Sequence, residues 1–259
     1  MEFDVLTESE NILIELGEKL RFWLISGGAD GSWEGTQFKA KADTLAHEFL
    51  VSRLKKLDSS ISIISEEDTD SLTSIRPDKY WLIDPIDGTA SYVGGFSGYV
   101  CQIALMEHGR PILSAVYAPE LKLLYSAEIH KGARLNGNLL PRITKRPSKI
   151  LIDNYPEPRG IASRIYNGLK CNGYVESGSL GLKLLRVADG TADLFVKDVI
   201  VKDWDLAPAD LILSELGIKV SDINGSEIVY DGTYDIKGII CARTSELKQE
   251  FLDFVKDKQ

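Results

Sequence analysis

The sequence predicts a layered α/β protein with a mixed sheet rather than a simple doubly wound fold. Three observations carry this expectation. Two amphipathic helices come first, since Ile12, Leu16, Leu20 and Trp23, and then Ala46, Leu50, Leu54 and Leu57, recur at three- and four-residue steps. A meander of strands follows, the last three of them joined by short turn-like links. From residue 149 onwards, strand-like and helix-like segments alternate.

The elements follow in chain order. The first helix is expected over 8–25, and the Gly-rich polar stretch 26–37 reads as a loop. Asp43 stands where an N-cap of the second helix belongs. Ile61 to Ile64 and Tyr80 to Ile83 read as short strands. Segments 99–107, 111–117 and 121–126 read as three more, joined by His108-Gly109-Arg110 and Ala118-Pro119-Glu120. The Pro-rich and basic stretch 140–158 suggests a boundary, dividing the chain into 1–145 and 146–259 as halves of one compact unit. Beyond it come strand 149–152, helix 159–169, strand 173–176, helix 179–189 and strand 191–197. A helix over 205–217 stops at Gly217, and a final helix spans 244–257.

Composition narrows the function. Thirty Lys and Arg against 39 Asp and Glu leave a net charge of −9, which argues against nucleic-acid polymers and anionic membranes as partners. No apolar run is long enough to span a bilayer. Met1-Glu2-Phe3-Asp4 lacks the basic and apolar regions of a secretory signal. Three widely spaced Cys fit buried reduced thiols, so the expected compartment is the cytoplasm. Three His and three Cys are a poor basis for zinc.

The acidic residues concentrate in four short segments: Lys41-Ala42-Asp43, Ser65-Glu66-Glu67-Asp68, Asp84-Pro85-Ile86-Asp87-Gly88-Thr89 and Asp203-Trp204-Asp205. Asp84 ends the apolar run Trp81-Leu82-Ile83, where a buried strand meets a cleft. Gly88 permits close backbone approach to a ligand, and free N–H groups at such a turn suit an anion. Each segment also has a bland reading. Asp43 and Asp205 could be helix caps, Glu66 and Glu67 a solvated loop, and Asp87 an Asx turn. Taken together, the carboxylates suit hard divalent cations such as Mg²⁺, which several close carboxylates need if all are to stay ionised.

Ser-Glu-Glu-Asp at 65–68, Trp-Leu-Ile-Asp-Pro-Ile-Asp-Gly-Thr at 81–89 and Trp-Asp-Leu-Ala-Pro-Ala-Asp at 204–210 resemble the inositol monophosphatase superfamily of magnesium-dependent, lithium-inhibited phosphomonoesterases. Within it the chain looks most like the 3′(2′),5′-bisphosphate nucleotidases, through Ile64 to Asp68, Gly181-Leu182-Lys183 and Lys202 to Pro208, while Ala104 to Leu113, Val116 to Pro119 and Tyr125 to Ala127 speak to kinship rather than to substrate. The resemblance implies a layered α-β-α-β-α sandwich with mixed sheets, of the inositol monophosphatase and fructose-1,6-bisphosphatase type.

The resemblance also implies roles. Glu66, Asp84 and the carbonyl of Ile86 would hold one Mg²⁺; Asp84, Asp87 and Asp205 a second; Glu66 a third through water. Thr89 paired with Asp43 would orient or deprotonate the attacking water. The N–H groups of Gly88 and Thr89, with Asp205 beside them, would receive the substrate, and Lys183 would meet a second phosphate or the nucleoside. The implied reaction is hydrolysis of 3′-phosphoadenosine 5′-phosphate to AMP, with inositol 1-phosphate or a sugar phosphate as the alternative. A non-catalytic regulatory relative is the rival of another class. Kinship suggests a homodimer. The chain departs from the family pattern at Ala90-Ser91-Tyr92, at Lys39-Ala40-Lys41-Ala42 and at Gly217-Ile218, all beside the ligand set rather than in it.

Overall fold

The computed structural model describes residues 4–26, 31–34, 37–72 and 75–256, with 31–40 described by backbone only. In order, the elements are α1 (Val5–Ser26), β1 (Gly31–Glu34), β2 (Gln37–Ala40), α2 (Lys41–Leu57), β3 (Ser62–Ser65), β4 (Lys79–Asp87), α3 (Thr89–Val93), β5 (Val100–Glu107), β6 (Arg110–Ala118) and β7 (Leu123–Glu128). Then come β8 (Ala133–Leu135), β9 (Asn138–Leu139), β10 (Ile150–Asp153), α4 (Gly160–Gly168), β11 (Gly173–Glu176), α5 (Leu180–Ala188), β12 (Leu194–Lys202), α6 (Asp203–Ser214), β13 (Ser221–Asp222), β14 (Asp235–Ala242) and α7 (Ser245–Lys256).

Two sheets stack with helices between and outside them. The first has the order β3-β4-β5-β6-β7-β8-β9 and is antiparallel except where β3 runs parallel to β4. The second, β11-β10-β12-β14-β13, is mixed, with β10 parallel to both β11 and β12. Strand alternation sorts side chains to the two faces of each sheet. Trp81, Ile83 and Ile103 pack on α1 and α2. Tyr80, Leu82 and Ala104 face α5 and α6, which also cover Phe195 and Ile239 of the second sheet. Leu194, Val196 and Ile240 face outward onto Ile165 of α4 and Phe251 of α7. The order of layers is therefore α-β-α-β-α, as expected.

Several expectations shift. Residues 31–34 and 37–40 pair as a hairpin, not a loop; the remainder of 27–36 and Asp257 lie outside the described residues. The strand β14 is an addition to the expected elements, because Gly238, at φ 72°, interrupts its apolar run. Asp43 lies in the first turn of α2, and α6 begins at Asp203 with Lys202 as N-cap, so neither Asp43 nor Asp205 is an N-cap. Asp205 instead accepts from the N-cap N–H of Lys202 at 2.9 Å, the reciprocal half of a capping box. Gly217 does end its helical segment, with Ile218 N–H returning to Leu213 O. The three cysteines are buried and unpaired.

Candidate active site and metal centre

The site forms where the ends of β3 and β4 meet the first turns of α2, α5 and α6. β4 is buried almost throughout, so Asp84 is delivered to the site with no exposure. Asp84 pairs with Gln102 on β5 but Asp87 pairs with Val100, so an irregularity falls at Pro85-Ile86. Proline, with no N–H to give a ladder, fits at such a bulge. The bulge re-aims Asp87 towards α5, whose first two N–H groups, Leu180 and Gly181, donate to it at 3.2 and 2.7 Å. Gly88 follows at φ 90°, and a Cβ there would meet Ser179 at 3.3 Å, so two reasons favour glycine.

One carboxylate oxygen from each of Glu66, Asp84 and Asp205 lies within 4.8 Å of the others. Among the described residues, no Lys or Arg forms an ion pair with any of the three or with Asp87. Burial, reinforced by Asp205, Glu67 and Asp87, raises the Glu66 carboxyl well above its usual range. Burial raises Asp84 in the same way, with Glu66 and Asp87 adding to it, and pushes Asp205 up to about 7, helped by Asp87. Asp87 is raised by burial too, against the pull of the Gly181 N–H and Lys183. A set of converging, all-oxygen donors that resist ionisation together fits a hard divalent cation.

Thr89 opens α3 beside this cluster. Its hydroxyl lies 3.2 Å from Asp43 Oδ1 and 3.2 Å from the carbonyl of Ile86. With one hydrogen and two lone pairs, it can donate to Asp43 while accepting from a water. The structure thus brings Asp43, Glu66, Asp84, Ile86, Asp87, Gly88, Thr89 and Asp205 into one place. Lys183 is 3% exposed, and its ammonium donates to Gly178 O at 2.6 Å and Asn154 Oδ1 at 2.9 Å. Burial lowers its pKa to about 8, against Asp87, which holds the proton on. Lys41 is exposed; the side chain of Lys39 lies outside the described residues.

Sequence reasoning missed three supporting residues. Gln102 is the one amide in the buried face of β5 and touches two of the carboxylates. His47, one turn after Asp43, meets the hydroxyl of Ser65 at 2.8 Å and braces the Glu66 turn. Arg76 pairs with the buried Asp203 at 2.5 Å, just before Asp205. A lone polar residue in an otherwise apolar strand was the available signal for Gln102; nothing local marks the other two.

Five alternating layers thus enclose a carboxylate cluster that could hold a divalent metal ion. The model of the inositol monophosphatase family matches residues 16–259, and the chain belongs to that family, hence to a superfamily of phosphoric monoester hydrolases. Over 199 residues it is 29% identical to the 3′(2′),5′-bisphosphate nucleotidase CysQ of Escherichia coli K12, covering 73% of this chain and 78% of that protein. Over 231 residues it is 28% identical to the Nus factor SuhB of the same organism, covering 85% and 83%. An IMPase of Thermotoga maritima superposes with a TM-score of 0.83 at 25% identity over 98% of both chains.

Proposed function

We propose that the chain is a Mg²⁺-dependent phosphomonoesterase that hydrolyses 3′-phosphoadenosine 5′-phosphate to AMP and phosphate. The observation that carries the chemistry is the triangle of Glu66, Asp84 and Asp205 oxygens beside the Asp43–Thr89 pair. Glu66, Asp84, Asp205 and the Ile86 carbonyl would hold the ions, with Asp87 completing a second position. When bound, two or three Mg²⁺ ions supply Lewis-acid activation and neutralise charge on the phosphoryl group.

The residues of the chain do the rest. Thr89 orients the attacking water through its hydroxyl and passes the water's proton towards Asp43. The water oxygen forms a bond to phosphorus as the ester P–O bond breaks, the departing alkoxide takes up a proton from solvent, and Asp43 returns its proton to solvent. N–H groups at the start of α3, from Gly88 and Thr89, face the phosphate oxygens and need no reorganisation during the reaction. Buried strands hold the acids in place, which fixes the line of attack.

For the substrate, the reading rests on the similarity to proteins named as bisphosphate nucleotidases. The buried Lys183 ammonium, which donates to Gly178 O and Asn154 Oδ1, would have to offer its remaining hydrogen to a second phosphate. Inositol 1-phosphate is the second reading, favoured by the likeness to the Thermotoga maritima IMPase. A regulatory role without catalysis is favoured only by the likeness to SuhB, named as a Nus factor. Side-by-side phosphate release from the two substrates, with Mg²⁺ and with added Li⁺, separates the three. Preferential, lithium-sensitive release from the bisphosphate supports this reading. A strong preference for inositol 1-phosphate overturns the substrate, and thermal stabilisation without any release overturns the activity. A homodimer in the cytoplasm is part of the same proposal, on kinship alone. Among the described residues no helix is long and apolar enough to cross a membrane.

A further inference from the structure

Gln102 is the third residue of β5, fully buried, between Cys101 and Ile103, whose side chains face the opposite layer. Across the ladder it is paired directly with Asp84. Its Nε2 stands 3.3 Å from Asp84 Oδ2, 3.5 Å from Asp87 Oδ2 and 3.0 Å from the backbone carbonyl of Trp204. One amide thus touches the two acids of β4 and the residue preceding Asp205.

The contact with Trp204 has a cause in α6. A helical carbonyl accepts from the N–H four residues on, and four residues after Trp204 comes Pro208, which has none. The carbonyl is left over by its own helix and taken up by Gln102. The orientation of the amide is fixed by chemistry. Turned round, its oxygen would face two carboxylates and a carbonyl, all of them acceptors.

The other end of the amide confirms that packing is not its purpose. Gln102 Oε1 is buried with no hydrogen-bond partner. It lies against Gly181, where a Cβ would come within 2.4 Å of it, so α5 leaves room for the side chain without bonding to it. A leucine or methionine would fill the space with no orphaned amide oxygen, but would leave the Trp204 carbonyl without a donor. The residue is explained by its donor end alone.

We propose that Gln102 is the positioning residue of the metal centre: its amide sets the distance between the β4 carboxylates and Asp205, and so the affinity for the divalent ions. This rests on the metal-dependent reading above. Gln102 itself meets neither metal nor substrate in this account. It acts by tying the first turn of α6, from the second half of the chain, to the strand that carries Asp84 and Asp87. Groups that orient metal ligands in this way change metal affinity by about 10–100-fold when removed.

The test uses the full chain, stripped with a chelator, and two variants, Gln102→Leu and Gln102→Asn. Mg²⁺ binding is measured by calorimetry, and thermal unfolding is measured without metal. The expected result is an Mg²⁺ dissociation constant raised about 10–100-fold in Gln102→Leu, out of proportion to the small drop in metal-free stability that comes from leaving the Trp204 carbonyl without a donor. Gln102→Asn keeps the amide on a shorter arm and falls between wild type and Leu; it carries the test if the Leu variant does not fold. Wild-type Mg²⁺ affinity in the variants, or lost metal-free stability with unchanged affinity, overturns the proposal and makes Gln102 a core filler. Failure of the wild-type chain to bind Mg²⁺ overturns the metal-dependent reading itself, a distinguishable outcome.

Discussion

Two groups of buried acids in this molecule are treated in opposite ways. Asp193, 1% exposed, accepts from Arg146 Nε at 2.7 Å, the Ile150 N–H at 2.9 Å and Ser148 Oγ at 3.2 Å, with Arg243 at 3.9 Å. Asp84 is no less buried, yet its partners are a backbone N–H and the amide of Gln102, and its neighbours are other acids. The first acid is a joint, neutralised from within the chain. The second belongs to a set that, among the described residues, has no arginine or lysine ion-paired to it. A buried acid has to be paired or hold its proton, so such a set is one that a cation could complete. Asp203 sharpens the contrast, because two residues before Asp205 the fold does supply an arginine, Arg76.

Exchanging the two kinds of acid for amides should break the comparison cleanly. Asp84→Asn is expected to lower Mg²⁺-dependent phosphate release by more than about 100-fold, beyond what loss of a supporting residue does. Its metal-free unfolding temperature should hold or rise, because a repelled charge has gone. Thr89→Val removes the hydroxyl between water and Asp43 and should lower kcat by about 10²–10⁴-fold while leaving the Mg²⁺ isotherm unchanged. Asp193→Asn should do the reverse. It leaves two guanidinium groups short of charge and should cost about 3 kcal/mol of stability, the low end for such a loss because Arg146 is 31% exposed. Denaturant unfolding measures that loss, and activity per folded molecule should be preserved.

A smaller effect follows from pH. Asp205 is raised from 3.8 to about 7 in the folded chain, so between those values the folded state holds a proton that the unfolded state has released. Stability of the metal-free protein therefore falls as pH rises through this window. Mg²⁺ replaces the proton and should flatten the dependence, and its affinity should climb over the same range. Unfolding midpoints taken with chelator and with Mg²⁺ across that window check both signs.

Much of this site is legible in the sequence because strand periodicity and charge conflict there. Trp81-Leu82-Ile83 announces a buried strand, and Asp84 at its end has no cheap explanation. The five-layer order is less legible from periodicity alone, since α5 and α6 are apolar on most sides and say only that they are enclosed. The reading of Asp43 and Asp205 as N-caps misses by three residues, a distance that local propensity does not resolve; Asp205 still caps α6, through the Lys202 N–H, from its third position. The Asp193 joint leaves no local trace in the sequence. Its partners Arg146 and Arg243 lie 47 and 50 positions away, and only the folded chain puts them together.

The central claim is that the acids left unpaired by the fold are completed by divalent cations. Calorimetric titration of Mg²⁺ into chelator-stripped protein near pH 6, run in two buffers of different ionisation enthalpy, tests it most directly. The account predicts saturable binding with net release of protons, abolished in Asp84→Asn and intact in Asp193→Asn. Absence of binding to the wild-type chain, or binding without proton release and indifferent to Asp84, would contradict it.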